Sequence, residues 1–367
     1  MMFFNLQRAR AKLGAFAVAI GAVCPLADAA DCAAIDDDLL RLACYDKNAG
    51  RNVGPKATPA ASADLAGKPS ASSVAVETAS RSVGVIADRR AETDSKHRRT
   101  LADSWDLDPA NGRPPFELRA YKPMYLLATT YTNNTNRQPT SAREEARVAS
   151  PLDLKSTEAQ FQISFKTKLW DNIFSNNGSL WAGYTQSSRW QIYNDKLSRP
   201  FRETDYEPEA VFVLRTPYEI AGWQGRMTSL AVTHQSNGRA LPLSRSWNRV
   251  IAQFGLEKDD WLLLVRPWWR IPEKREDDDN PGIENYVGRG ELIVARRYGG
   301  QTFSLQARHS LRGGENSRGS VKLEWSLPLS GYLKAHLSLF SGYGESLIDF
   351  NHRQTLIGAG ISLVEWQ

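Results

Sequence analysis

Glu158-Ala159-Gln160-Phe161-Gln162-Ile163-Ser164-Phe165-Lys166-Thr167-Lys168-Leu169-Trp170 alternates polar and apolar residues almost throughout. Successive side chains of an extended chain point to opposite faces. Phe161, Ile163, Phe165 and Leu169 therefore share one face, and Gln160, Gln162, Ser164, Lys166 and Lys168 share the other. The same division recurs far downstream, where Val321, Leu323, Trp325 and Leu327 oppose Ser320, Lys322, Glu324 and Ser326. From about Phe116 onward such segments follow one another, separated by Gly, Asn, Asp and Pro. Twelve are predicted, at about 117–131, 158–170, 178–192, 205–215, 224–236, 246–256, 260–270, 287–297, 301–309, 319–328, 331–341 and 353–366.

A strand with one apolar face suits either a soluble sandwich, where that face is the core, or a membrane barrel, where it meets lipid. The connections discriminate. Those at 257–259, 298–300 and 329–330 are very short, and those at 132–157, 193–204, 271–286 and 342–352 are long. Exceptions of moderate length fall near 171–177 and 216–223. Alternation of short turns with long loops is the barrel pattern, as is an even strand number. The expected fold is all-β: a twelve-stranded antiparallel transmembrane β-barrel over residues 116–367, preceded by a largely disordered periplasmic extension. The mean hydropathy of −0.45 does not oppose this, because alternating strands average polar and apolar residues.

The net charge is +5, with acidic and basic residues interspersed rather than gathered into a basic patch. No nucleic-acid partner is expected. Arg8, Arg10 and Lys12 precede an apolar run from Leu13 to Val23, followed by Ala27-Asp28-Ala29. Basic, apolar and small-residue zones in this order read as a secretory signal peptide over residues 1–29, which implies export. Residues 30–115 then form the extension. Cys32 and Cys44 are an even pair in an exported chain and are expected to form a disulfide. Residues 51–115, rich in Ala, Ser, Pro and Arg, read as a mobile linker.

Chemistry concentrates at one predicted hairpin. Thr233-His234-Gln235-Ser236-Asn237-Gly238-Arg239 ends one strand and Ser244-Arg245-Ser246-Trp247-Asn248-Arg249 begins the next. His234 and Ser236 share a face with Leu230 and Val232; Asn248 shares one with Val250, Ala252, Phe254 and Leu256. All three polar groups thus stand on the lipid side near the outer edge. Such placement costs free energy and marks function. A symmetric hairpin centred on Leu241 pairs His234 with Asn248. His234 can deprotonate the Ser236 hydroxyl, and Asn248 can orient the imidazole without an ionised group on the lipid face. The rival reading is a non-catalytic pore or structural barrel with an incidental His-x-Ser.

His-Gln-Ser-Asn-Gly-Arg at 234–239 and Ser-Arg-Ser-Trp-Asn-Arg at 244–249 resemble the outer membrane phospholipase A family. So do Tyr184-Thr185-Gln186 and Pro200-Phe201-Arg202-Glu203-Thr204-Asp205-Tyr206-Glu207-Pro208. The resemblance spans about residues 100–367. It implies a calcium-dependent outer-membrane enzyme that hydrolyses acyl esters of phospholipids and lysophospholipids as a homodimer. It assigns Ser236 as nucleophile, His234 as general base, Asn248 as orienting residue and the Gly238 N–H as part of the oxyanion hole. It further implies Ca2+ held by the Arg239 carbonyl and Ser244 hydroxyl of one subunit and the Ser198 hydroxyl of the other, with Gln186 in the dimer contact. Leu241 stands where some relatives carry Asp, so a further calcium site is not expected there. By composition Glu276-Asp277-Asp278-Asp279 is another calcium candidate, though a solvated outer loop is the commoner meaning of such a run.

Overall fold

The computed structural model describes residues 100–108 and 112–366. The expected signal peptide and the Cys32–Cys44 disulfide lie outside them. A short helix, α1 (Leu101–Trp105), precedes thirteen strands: β1 (Arg119–Ala120), β2 (Met124–Thr132), β3 (Thr157–Trp170), β4 (Ser179–Trp190), β5 (Phe201–Ile220), β6 (Trp223–Ser236), β7 (Ser246–Lys258), β8 (Trp261–Ile271), β9 (Gly290–Tyr298), β10 (Gln301–His309), β11 (Gly319–Ser330), β12 (Leu333–Gly342) and β13 (Gln354–Val364). Strands β2 to β13 pair antiparallel in chain order. The pairing of β13 with β2 closes them into a twelve-stranded barrel. Closure leaves no unpaired edge, which is what a sheet in hydrocarbon requires.

The expected faces are observed. On β3, Ile163 and Phe165 are 42% and 40% exposed, whereas Lys166 and Lys168 are each 1% exposed. Val211, Val213, Ile251, Leu262 and Ile293 are buried in one cluster with Leu101 and Trp105, but on β3 burial is inverted relative to a water-soluble protein: apolar residues stand outside and charges inside. That is the signature of a lipid-facing exterior. Trp170, Tyr218, Trp261, Tyr298 and Tyr332 stand exposed at the end of the short turns, as an aromatic girdle does. The two-residue turns at 221–222, 259–260, 299–300 and 331–332 mark that end.

Two boundaries differ from expectation. The first predicted strand, 117–131, is broken: β1 pairs with β3 at Arg119↔Lys166, and β2 resumes at Tyr125↔Gln162, past Pro123. Proline has no N–H to give to a ladder, so the break falls there. The predicted gap at 216–223 is mostly strand. β5 continues through Pro217 to Ile220 by way of a register shift between Arg215 and Tyr218, and bulges accommodate proline in this way.

Residues 100–108 belong to the packed structure, although the sequence placed them in a mobile linker. Thr100 caps α1, accepting from the Asp103 backbone N–H while the Asp103 side chain accepts from the Thr100 N–H. The Leu101 N–H donates to Glu257 Oε1 at 2.7 Å, and Trp105 lies edge-on to Trp181, ring centroids 5.5 Å apart. Asp106 holds Arg119 and Lys168. This segment fills the barrel interior at its short-turn end.

Mid-barrel, Glu207 takes Lys122 at 2.9 Å and Arg249 at 2.7 Å, and Arg266 pairs with Glu291. At the long-loop end, Leu347, Ile348 and Phe350 are buried around Asp349. Asp349 accepts from Arg202 at 2.8 Å, Ser346 at 2.7 Å and Asn136 at 2.9 Å. Both ends are thus packed, an arrangement unlike a passive aqueous pore.

Burial pushes the Asp349 carboxyl upward, but Arg202, Ser346 and Asn136 together hold it down at about 2, against an ordinary 3.8. A depressed folded-state value stabilises above the unfolded value. The contribution is therefore complete above about pH 4 and is lost as the pH falls through about 2. Asp349→Ala leaves Arg202 to Glu158, 2.8 Å away, and the more distant Glu345, and should cost about 2–3 kcal/mol. The check is a lower urea midpoint for loss of the compact barrel, with most of the difference from wild type disappearing in strong acid.

Candidate functional site

The hairpin β6–β7 has the expected register, with His234 opposite Asn248 and Ser236 opposite Ser246. His234, Ser236 and Asn248 project outward with Leu230 and Val232, which are 52% and 54% exposed. His234 Nδ1 is 2.9 Å from Asn248 Oδ1. The acceptor oxygen requires Nδ1 to carry a proton; in the neutral ring Nε2 then keeps its lone pair. Among the described residues no hydrogen bond joins the Ser236 hydroxyl to the imidazole. The two are neighbours on one face, and such contacts commonly tighten only when substrate is bound.

The loop beyond Ser236 is pinned from inside. The Asn237 amide donates to Glu203 Oε1 at 2.9 Å and to the Leu243 carbonyl at 2.8 Å. Its oxygen accepts the Arg239 and Arg245 backbone N–H groups at 3.3 and 3.0 Å. Gly238 follows with φ +62°, a left-handed conformation that glycine adopts without steric cost. A Cβ there would also approach the Tyr206 ring to 3.3 Å. The Gly238 N–H finds no acceptor among the described residues, so it is free to meet an incoming oxygen.

The remaining residues assigned by resemblance sit at the same end. Ser244 Oγ donates to Asp279 Oδ2, and Asp279 also holds Arg143 at 2.8 Å. Arg239 is tied to the Arg202 carbonyl through its guanidinium at 2.7 Å, and its own carbonyl accepts no hydrogen bond among the described residues. Ser198 is exposed in the loop between β4 and β5. Gln186 faces outward on β4 opposite Tyr206, which is itself opposite Ser236. Gln186, Tyr206 and Ser236 therefore form a row across three strands. Among the described residues no cluster of three or more His, Cys, Asp or Glu side chains could hold a metal ion; the oxygens here come from a hydroxyl, a carbonyl and one carboxylate.

The acidic run divides. Glu276 and Asp277 are exposed, as a solvated loop predicts, whereas Asp278 and Asp279 are half-buried, and Asp278 pairs with Arg270 at 2.7 Å. The sequence named Asp279 only as part of the acidic calcium-candidate run. It missed Glu273, just past β8, whose Oε1 accepts from Asn248 Nδ2 at 2.7 Å. Burial pushes the Glu273 carboxyl up, and Arg270, 3.4 Å from its Oε2, pulls against that.

Residues 101–363 match the family model for phospholipase A1. The chain belongs to the phospholipase A1 family. It is an ester hydrolase on an outer-membrane-type barrel. A phospholipase A1 of Klebsiella pneumoniae is 39% identical over 249 residues, 68% of this chain and 83% of that protein. A Salmonella typhi outer membrane phospholipase, solved as a dimer with bound calcium, is 35% identical with a TM-score of 0.62, over 71% of this chain and 95% of that one. An asparagine-to-alanine active-site mutant of the Escherichia coli outer membrane phospholipase A is 36% identical with a TM-score of 0.61, over 70% and 95% of the two chains.

Proposed function

We propose that this phospholipase A1 family member cleaves acyl esters of phospholipids and lysophospholipids in the outer membrane, with Ser236 as nucleophile, His234 as general base and Asn248 as orienting residue. The observation that carries this reading is the 2.9 Å contact between His234 and Asn248 on a lipid-facing surface, two residues from a free serine. His234 Nε2 takes the Ser236 proton as the oxygen attacks the ester carbonyl, then returns it to the departing glycerol oxygen. The acyl chain stays against Leu230 and Val232, and the Gly238 N–H donates to the developing oxyanion. Water, activated in turn by His234, releases the fatty acid. In the test, the purified barrel is given mixed micelles of phospholipid and detergent with calcium. Free fatty acid and lysophospholipid should appear; their absence would overturn the reading.

Calcium fits the residues present. The Arg239 carbonyl, Ser244 hydroxyl and Asp279 carboxylate are the oxygen donors that this cation prefers. Bound there, it would reinforce stabilisation of negative charge beside Gly238. The relative crystallised as a calcium-bound dimer supports both the cation and a homodimer.

Gln186 and the exposed Ser198 suit that dimer. A lone amide facing hydrocarbon gains by pairing with its counterpart, and Ser198 could then complete the cation site of the partner. Cross-linking should accordingly yield more dimer with calcium than with chelator, and Gln186→Ala should reduce it several-fold. Full activity in a strictly monomeric preparation would contradict the role given to Ser198.

A further inference from the structure

Asparagine presents two unlike ends, an acceptor oxygen and a donor amide, and it serves His234 only if the oxygen faces the ring. Nothing about the ring alone enforces that choice. A turned amide would offer N–H groups to Nδ1 and favour the wrong tautomer. The enforcing group stands on the other side of Asn248. Glu273 Oε1 accepts from Nδ2 at 2.7 Å, so turning the amide would set its oxygen against a carboxylate. We propose that Glu273 is a positioning residue of this site, locking the Asn248 amide and supplying the negative charge that a Ser-His-Asn group otherwise lacks.

The placement follows from the sheet. Asn248 opposes Ile271 at the end of β8. Glu273, two residues on, continues on the same side of the chain. An acidic residue in the position of Asn248 would stand among acyl chains, where keeping it ionised is expensive. Two residues beyond the strand, the carboxylate enters the polar loop layer. There Arg270 approaches Oε2 at 3.4 Å while also serving Asp278 at 2.7 Å and Glu284 at 3.4 Å, so Arg270 is shared among three acids. The Asn248 amide relays the effect. Donation from Nδ2 to a carboxylate polarises the amide and makes Oδ1 a better acceptor for the imidazolium formed in the transition state.

This inference rests on the Ser236 mechanism proposed above, and the experiment separates the two. Fatty-acid release from mixed micelles at saturating calcium is measured for wild type, Ser236→Ala, Glu273→Ala, Glu273→Gln, Asn248→Ala and the double variant Glu273→Ala/Asn248→Ala. Each preparation is first checked for the heat-modifiable, compact barrel. Glu273→Ala should lower kcat about tenfold at unchanged KM, the effect expected for a lost hydrogen bond to a charged group. Glu273→Gln retains an acceptor for Nδ2 but no charge and should fall only about threefold. The double variant should match Asn248→Ala alone, because Glu273 acts through that amide.

A wild-type kcat in Glu273→Ala overturns the proposal. So does a Glu273→Ala loss of equal size in both backgrounds, or one confined to KM. If Glu273→Ala does not fold, Glu273→Gln decides by the same comparison with and without Asn248. If Ser236→Ala stays active, the parent mechanism fails; if it is inactive while Glu273→Ala behaves as wild type, only the Glu273 assignment fails.

Discussion

Ser236→Ala should reduce fatty-acid release by about ten-thousandfold or more while the barrel stays folded. The magnitude follows from how triad-like groups behave: the nucleophile, base and orienting residue act as a unit, and removing the nucleophile alone forfeits nearly all that the unit contributes. Folding should be indifferent. Ser236 is half-exposed on the outer face, and its hydroxyl joins no hydrogen bond with His234. Heat-modifiable migration in gel electrophoresis checks the fold, and titration of released acid checks the activity. Retained hydrolysis in a folded Ser236→Ala protein would remove the serine from the chemistry.

Withdrawing calcium should produce the second large effect, a loss of about 10²–10³-fold that is reversed by adding calcium back. That is the scale of losing one stabilising group at an oxyanion. The effect should be tunable through Asp279, the carboxylate on the Ser244 hydroxyl. Asp279→Asn removes the one formal negative charge from the donor set and should move the calcium midpoint upward about tenfold, while the maximal rate at saturating calcium changes less. Titrating activity against free calcium separates the two parameters. An unchanged midpoint would place the cation elsewhere.

The barrel was legible because its signal is local. Period-two alternation in β3 and β11 states which residues share a face, and the loop lengths then state which face meets lipid. The His234–Asn248 pairing was legible for a related reason, since a hairpin fixes its own register around Leu241. What escaped was non-local. Five-residue α1 is too short to show a helical period, and its place follows from side chains such as Trp181 and Glu257, far along the chain. The Thr100 and Asp103 capping pair was a readable sign that ordered chain begins before Phe116. Asp279 is indistinguishable by composition from its exposed neighbour Asp277. Only the fold of the 272–289 loop over the β6–β7 hairpin brings it to Ser244. Glu273 lay within reach of the alternation argument, had the face carrying Trp269 and Ile271 been extended two residues past the strand.

Ser236, activated by His234, should be the residue that bonds to the acyl group. A long-chain alkylsulfonyl fluoride reacts with an activated serine, and peptide mass mapping locates the adduct. One sulfonyl group should appear on Ser236, forming in step with loss of hydrolysis and no longer forming in His234→Ala. An adduct at another residue accompanying inactivation, or full hydrolysis by protein sulfonylated at Ser236, would contradict it.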